Sequence, residues 1–146
     1  MTFRLDINVS SLAELSRLLE DVDEAVDVER VLDEGSAILL NRIRTRFLDA
    51  EDAQGRPWVE SQAARRRNSD PNGGGKTLFD TGTLFHSLQV FTDAPGVRGL
   101  GTDVPYSIVH HDGLDGNPVR RFLEFNDEDG DILTRLVEDR IAKAIS

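Results

Sequence analysis

The chain has 146 residues and no cysteine, and 27 acidic side chains against 17 basic ones leave a net charge of −10. At this length a domain buries about 70% of its unfolded surface, so a core can form without disulfides or metals. Thiolate metal sites are excluded, the lack of cysteine fits a reducing cytoplasm, and the charge argues against general binding of a phosphate backbone.

Phe3, Leu5, Ile7 and Val9 alternate with polar residues, which predicts a half-buried strand rather than the apolar core of a signal peptide. Ser11 and Glu14 form a possible capping box. A helix carrying Leu12, Leu15, Leu18, Leu19 and Val22 on one face is expected after them. The acidic "DVDEAVD" reads as a joint. A longer helix is predicted from about Val28 to Leu48, with Val28, Val31, Leu32, Ile38, Leu39, Ile43 and Phe47 as its apolar stripe. Gly35 weakens its middle by roughly 1 kcal/mol relative to alanine. The longest aliphatic run, Ala37 to Leu40, is far short of the ~20 residues needed to span a bilayer. A soluble protein without membrane contact is expected.

From Asp49 to Thr77 the periodicity disappears. The turn-forming "QGRP" precedes Trp58, the one large apolar group there. The expectation is a short Trp58-anchored segment followed by a mobile loop at about 59–77, since long unstructured stretches in compact domains are usually functional or mobile. Within it, "DPNGGGKT" (70–77) ends like a phosphate-binding loop. The P-loop pattern requires a glycine where Asp70 stands, and the preceding residues are too polar for a buried strand. Nucleotide binding is therefore not expected.

Order returns at "TLFDTGTLFHSLQVF" (77–91). Asp80 or Thr81 can cap a helical turn bearing Leu84, Phe85 and Leu88, and the chain becomes extended through Gln89, Val90 and Phe91. "PGVRGLGTD" (95–103) reads as a turn and a second strand. "VPYSIVHHDG" (104–113) reads as a short helical turn ended by Gly113. "NPVRRFLEF" (117–125) reads as a third extended piece with Pro118 at its start. A terminal helix from Asp127 to Ala144, capped by Asn126, buries Ile132, Leu133, Leu136, Val137, Ile141 and Ile145. With no repeat and no second domain, residues 1–146 read as a single α+β domain. Its N-terminal strand, long helices and C-terminal helix pack on a small, mostly antiparallel sheet.

Catalytic and metal motifs fail on inspection. His110 and His111 are adjacent and point about 100° apart on a helix, so one is expected to pack or cap and the other to be exposed. Aligning "NDEDGD" with a calcium loop puts Phe125 and Leu136 at ligand positions, so helix capping explains these acids better. No nucleophile motif is visible, and neither an enzyme nor a cofactor is expected. Charge is unevenly distributed. Glu14, Glu20, Asp21, Asp23, Glu24, Asp27, Glu29, Asp33 and Glu34 crowd one stretch, while Arg42, Arg44, Arg46, Arg56, Arg65, Arg66 and Arg67 follow. This suits solvated helix faces, self-association of acidic with basic faces, or nucleic-acid contact through Arg65–Arg67 and Lys76.

Four pieces carry a family resemblance. They are "RIRTRFLDAEDAQGRPWVE", then the Leu78, Thr81, Gly82, Leu84, Ser87, Leu88 pattern, then Tyr106, His110 and Gly113 after Gly101-Thr102, and last Pro118, Arg120, Phe122 and Leu123. Together, over about Gly35 to Ile145, the chain resembles the virion morphogenesis proteins of tailed bacteriophages, also called tail completion proteins and related to head–tail neck proteins. It departs from their pattern at Asp112, Leu114 and Glu124.

The resemblance implies a non-enzymatic virion protein, assembled in the host cytoplasm, that completes the tail or neck. It implies a cyclic, hexameric homo-oligomer contacting other neck, connector and tail proteins, with DNA passing through an acidic lumen without sequence-specific binding. Trp58 is expected as an anchor in a subunit contact. Arg65, Arg66, Arg67 and Lys76 are expected on a docking loop, and Arg120 and Phe122 on one side of an extended segment. Thr81-Gly82 is expected to make a tight turn, and Tyr106 and His110 to share a hydrogen bond inside the fold. The alternative is a DNA-contacting phage module using the arginine-rich loop.

Overall fold

A computed structural model of the chain describes residues 3–8, 28–69, 77–78 and 82–145. The predicted helix over Leu12–Val22 lies outside them, as do Lys76, Thr81, the glycines of "DPNGGGKT" and the Asp80 cap. The fold is α+β. Strand β1 (Phe3–Asn8) precedes a 22-residue helix α1 (Val28–Asp49), and a short helix α2 follows at Gln62–Asn68. Helix α3 (Thr83–Ser87) leads into the hairpin of β2 (Gln89–Ala94) and β3 (Val97–Thr102). Helices α4 (Ser107–Asp112) and α5 (Asp127–Ile145) complete the chain.

The sheet is antiparallel in the order β1-β3-β2, with Phe3 opposite Thr102 and Asn8 opposite Val97. The β2–β3 hairpin turns at Pro95-Gly96, where Gly96 holds φ 77, and its register shifts between Phe91 and Ala94. Glycine suits that position because positive φ is strained for residues with a Cβ.

Helix α1 contacts all three strands and α5. Its stripe is as expected at Val31, Leu32, Leu39, Ile43 and Phe47, but Ile38 is exposed. Leu40, Ser36 and Arg46 are buried instead. Gly35 has a packing reason: a Cβ there would lie 2.7 Å from Leu133 Cδ2 of α5. The glycine that weakens the isolated helix lets α5 lie close. Phe47 is the hub of the core, fully buried, with the rings of Trp58, Phe85 and Phe122 at 5.4, 5.7 and 5.7 Å.

Helix α1 ends in a Schellman arrangement: Glu51 N donates to Arg46 O and Ala50 N to Phe47 O, with Ala50 at φ 56. The chain then turns around Asp52, whose carboxylate accepts the amides of Gln54 and Arg56 and the Arg56 Nε. This turn returns Trp58 N to Ala50 O at 2.7 Å and places the indole against Phe47. The Gly-x-Pro-Trp piece therefore builds the floor of the core.

Two expectations are corrected. Residues 62–68 are helical, not part of an extended loop. Ser61 caps this helix by accepting Ala64 N at 3.0 Å, and Ala64 is fully buried. The segment 117–125 is not a strand. Side chains, not a ladder, satisfy much of its backbone: Arg121 O accepts Trp58 Nε1, Leu123 O faces His111 Nε2, and Glu124 O accepts Arg46 Nη1. A buried backbone needs partners, and these supply them without a sheet.

Candidate assembly surface

The Leu78–Leu88 motif is a structural device. Gly82 sits at φ 80 and starts α3, with His86 N bonding back to its carbonyl at 2.8 Å. Leu84 and Leu88 enter the core, while Leu78 packs against it in the left-handed region at φ 65. Ser87 Oγ donates to Leu84 O and lies 2.6 Å from Thr102 Oγ1. Because Ser87 spends its proton on Leu84 O, Thr102 donates to Ser87, and Thr102 Oγ1 in turn accepts Val104 N. One serine thus ties α3 to the end of β3.

The Tyr106–Gly113 motif forms α4. Gly113 closes it at φ 70, and a Cβ there would meet Val119 Cγ2 at 2.8 Å and Asn117 O at 2.9 Å. Gly113→Ala combines a left-handed backbone with a backbone clash. It is expected to destabilise the subunit by more than about 1–2 kcal/mol; an unchanged thermal midpoint would show that this turn can relax. His111 is the buried histidine, its ring bonded to Asp112 and Leu123 O. His110 is half-buried and meets Tyr106 edge to face at 6.0 Å. The expected internal hydrogen bond between them is replaced by this ring contact: Tyr106 is exposed, and His110 Nδ1 is buried without a hydrogen bond among the described residues. Burial, and then the Arg120 charge, push the His110 pKa down, favouring the neutral imidazole.

Two of the residues expected at an interface are turned inward. Trp58 and Phe122 build the core around Phe47, and Arg120 is buried with its Nε donating to Val59 O at 2.8 Å. Large rings on a small domain lose more exposed area by packing under their own chain than by waiting for a partner. Arg65 and Arg66 are exposed on α2, Arg65 lying 3.8 Å from Glu60. Arg67 follows on the same helix.

Part of the uneven charge is neutralised within the subunit. Arg98 of β3, almost fully buried, reaches Asp33 and Glu29 of α1 at 2.7 Å each. Arg140 of α5 pairs with Glu34. Sequence reading missed the strongest of these clusters. Asp129, 1% exposed, accepts Arg46 Nη2 at 2.7 and 2.8 Å and Arg42 Nε at 2.5 Å. It also accepts Asn126 N, while Asn126 Oδ1 accepts Asp129 N, a reciprocal cap on α5. The Asn126 cap is as expected; the Asn-x-x-Asp spacing before an apolar run was the available signal for its reciprocal half at Asp129. A polar groove of about 410 Å³ beside it is lined by Asn41, Thr45, Glu51, Gly55 and Glu128. Arg42 and Arg46 reach it already paired, so it offers no free cation.

Among the described residues no group of three His, Asp or Glu side chains is placed to hold a metal. No described helix is long and apolar enough to cross a membrane. Fold and site together define a small α+β domain whose motif residues hold its own architecture. The chain belongs to the phage virion morphogenesis family, whose model matches residues 10–142. Membership gives it a part in building the phage particle, and points to a structural role rather than catalysis. Comparison with curated proteins and with solved structures gives no match.

Proposed function

We propose that this protein completes the tail or neck of the virion and joins head to tail, as a ring of identical subunits around the DNA channel. The observation that carries this reading is family membership across residues 10–142. Supporting it, helix α2 presents Arg65 and Arg66 to solvent immediately before the glycine-rich stretch at 70–75. A basic helix leading into such a stretch suits a docking arm that lays arginines against carboxylates of a neighbouring protein.

Quantitative mass spectrometry of purified virions, scaled to the portal protein, tests the location. A low fixed ratio to the portal is expected, and absence from finished virions would refute a neck component. The arm is tested by deleting Asp70 to Gly75. The subunit should fold with an unchanged thermal midpoint, while heads and tails accumulate unjoined. Loss of folding in that variant would overturn the docking role.

A further inference from the structure

Four of the large exposed apolar side chains are tied to one segment of the chain. Val59, Tyr106, Leu114 and Val119 are 45–55% exposed. Val59 O accepts Arg120 Nε, Arg120 N bonds to His110 O, and His110 stacks edge-on to Tyr106. Leu114 follows Gly113, which lies under Val119.

Arg120 sits among them. Three arginines are buried among the described residues, and two of them have carboxylates: Arg46 has Asp129, and Arg98 has Glu29 and Asp33. Arg120 is 4% exposed and, among the described residues, its guanidinium meets the Val59 carbonyl and the field of His110 but no carboxylate. Beside it, His110 Nδ1 is a buried polar atom without a hydrogen bond among the described residues. A buried guanidinium without a counter-charge is unfavourable in an isolated subunit, and an arriving carboxylate relieves it.

We propose that this surface binds a second copy of the chain, which lays a carboxylate on Arg120 and covers Val59, Tyr106, Leu114 and Val119. Charge complementarity names the occupant. The chain carries 27 acidic against 17 basic side chains, and the exposed Asp131 and Glu138 of α5 have no ion pair among the described residues. A neighbour of the same sequence therefore brings the charge this site lacks. Because an acceptor surface meets a different, acidic surface, the contact is heterologous, as a ring requires. The inference rests on the ring reading of the protein's function.

Native mass spectrometry and sedimentation of the full chain across concentration test it. The wild type should self-associate, with Val119→Asp and Arg120→Met weakening association at least tenfold and Ile38→Ser, on α1, leaving it unchanged. Arg120→Met should also melt no lower than the loss of its one bond to Val59 O accounts for, because the guanidinium meets no carboxylate among the described residues. An Arg120→Met subunit that melts much lower would assign the arginine a merely structural role and overturn the proposal. So would unaltered association of Val119→Asp, or a wild type that stays monomeric at every concentration. A monomer still present in virions removes this surface and leaves the assembly role standing. Intact self-association in a protein absent from virions does the reverse.

Discussion

Replacing Asp129 with alanine is expected to destabilise the subunit by about 3–5 kcal/mol, the usual loss when one partner of a buried ion pair is removed. The carboxylate is 1% exposed and accepts Arg42 and Arg46 of α1 as well as the Asn126 amide. Its removal leaves Arg46 buried without a counter-charge and opens the reciprocal cap of α5. A typical domain has only about 5–15 kcal/mol of stability, so the variant stands near unfolding. The pair need not be better than apolar packing, since burying two charges removes them from water. The double variant Arg46→Met, Asp129→Leu is therefore expected to recover much of the loss. Urea titration of wild type, single variants and double variant checks this. A single-variant loss below about 1 kcal/mol would place Asp129 among weak surface pairs instead.

The same carboxylate sets an acid limit. Burial pushes the Asp129 pKa up, but hydrogen bonds from Arg46, Arg42 and Asn126 outweigh it, and the group lies below its ordinary value. A depressed folded pKa gives stability that is complete above the unfolded value, about 3.9, and is lost as pH falls through the folded one. Thermal midpoints should fall steeply below about pH 4, and less steeply in Asp129→Asn. Some slope should remain, because Asp52 and Glu29 are also depressed. For Asp52 burial opposes the shift and bonds from Arg56 and Gln54 prevail; for Glu29 the Arg98 bond leads. Equal slopes in the two proteins would remove Asp129 from the acid response.

Phe47→Ala is the second large effect, expected at about 3–5 kcal/mol for a fully buried ring. Phe47 touches three aromatic rings drawn from three separate parts of the chain, so the cavity cannot close by moving one side chain. Phe47→Leu keeps most of the volume and should lose less, about 1.5 kcal/mol. Trp58 is the sole tryptophan and lies edge-on to Phe47 at 5.4 Å, so its emission reports the site directly. A red shift in folded Phe47→Ala is expected. A stability loss under about 1 kcal/mol with unshifted emission would mean that Phe47 is not the hub of this core.

Local order was legible where local physics decides it. The 3.6-residue periodicity of Val31, Leu32, Leu39, Ile43 and Phe47 marks a helix because one face must be buried whatever covers it. Gly113 and Pro95-Gly96 mark a helix end and a turn because their backbone angles are set by the residue itself. Asn126 marks the start of α5 because a cap is a contact within one turn. Helix α2 was missed for the same reason: seven residues, with Ala64 buried among the described side chains, give too little pattern, and the Ser61 cap was the signal that spoke for it.

Distant contacts decided the rest. The Asn-x-x-Asp spacing marks Asp129 locally as half of a cap, but nothing local marks it as a buried ion-pair acceptor; its partner Arg46 lies 83 residues earlier. Arg98 likewise meets Asp33 across 65 residues, which turns an apparent acidic patch into the partner of a buried strand arginine. Alternating residues in 117–125 allow a strand, but whether one forms depends on which groups reach its carbonyls. Here Trp58, His111 and Arg46 do. The sequence by itself determined the long helices, the turns and the family, because these rest on neighbours along the chain. Only the tertiary structure decided which charges are paired, which aromatic rings are internal and which buried arginine meets no carboxylate among the described residues, because those depend on distances between residues far apart in sequence.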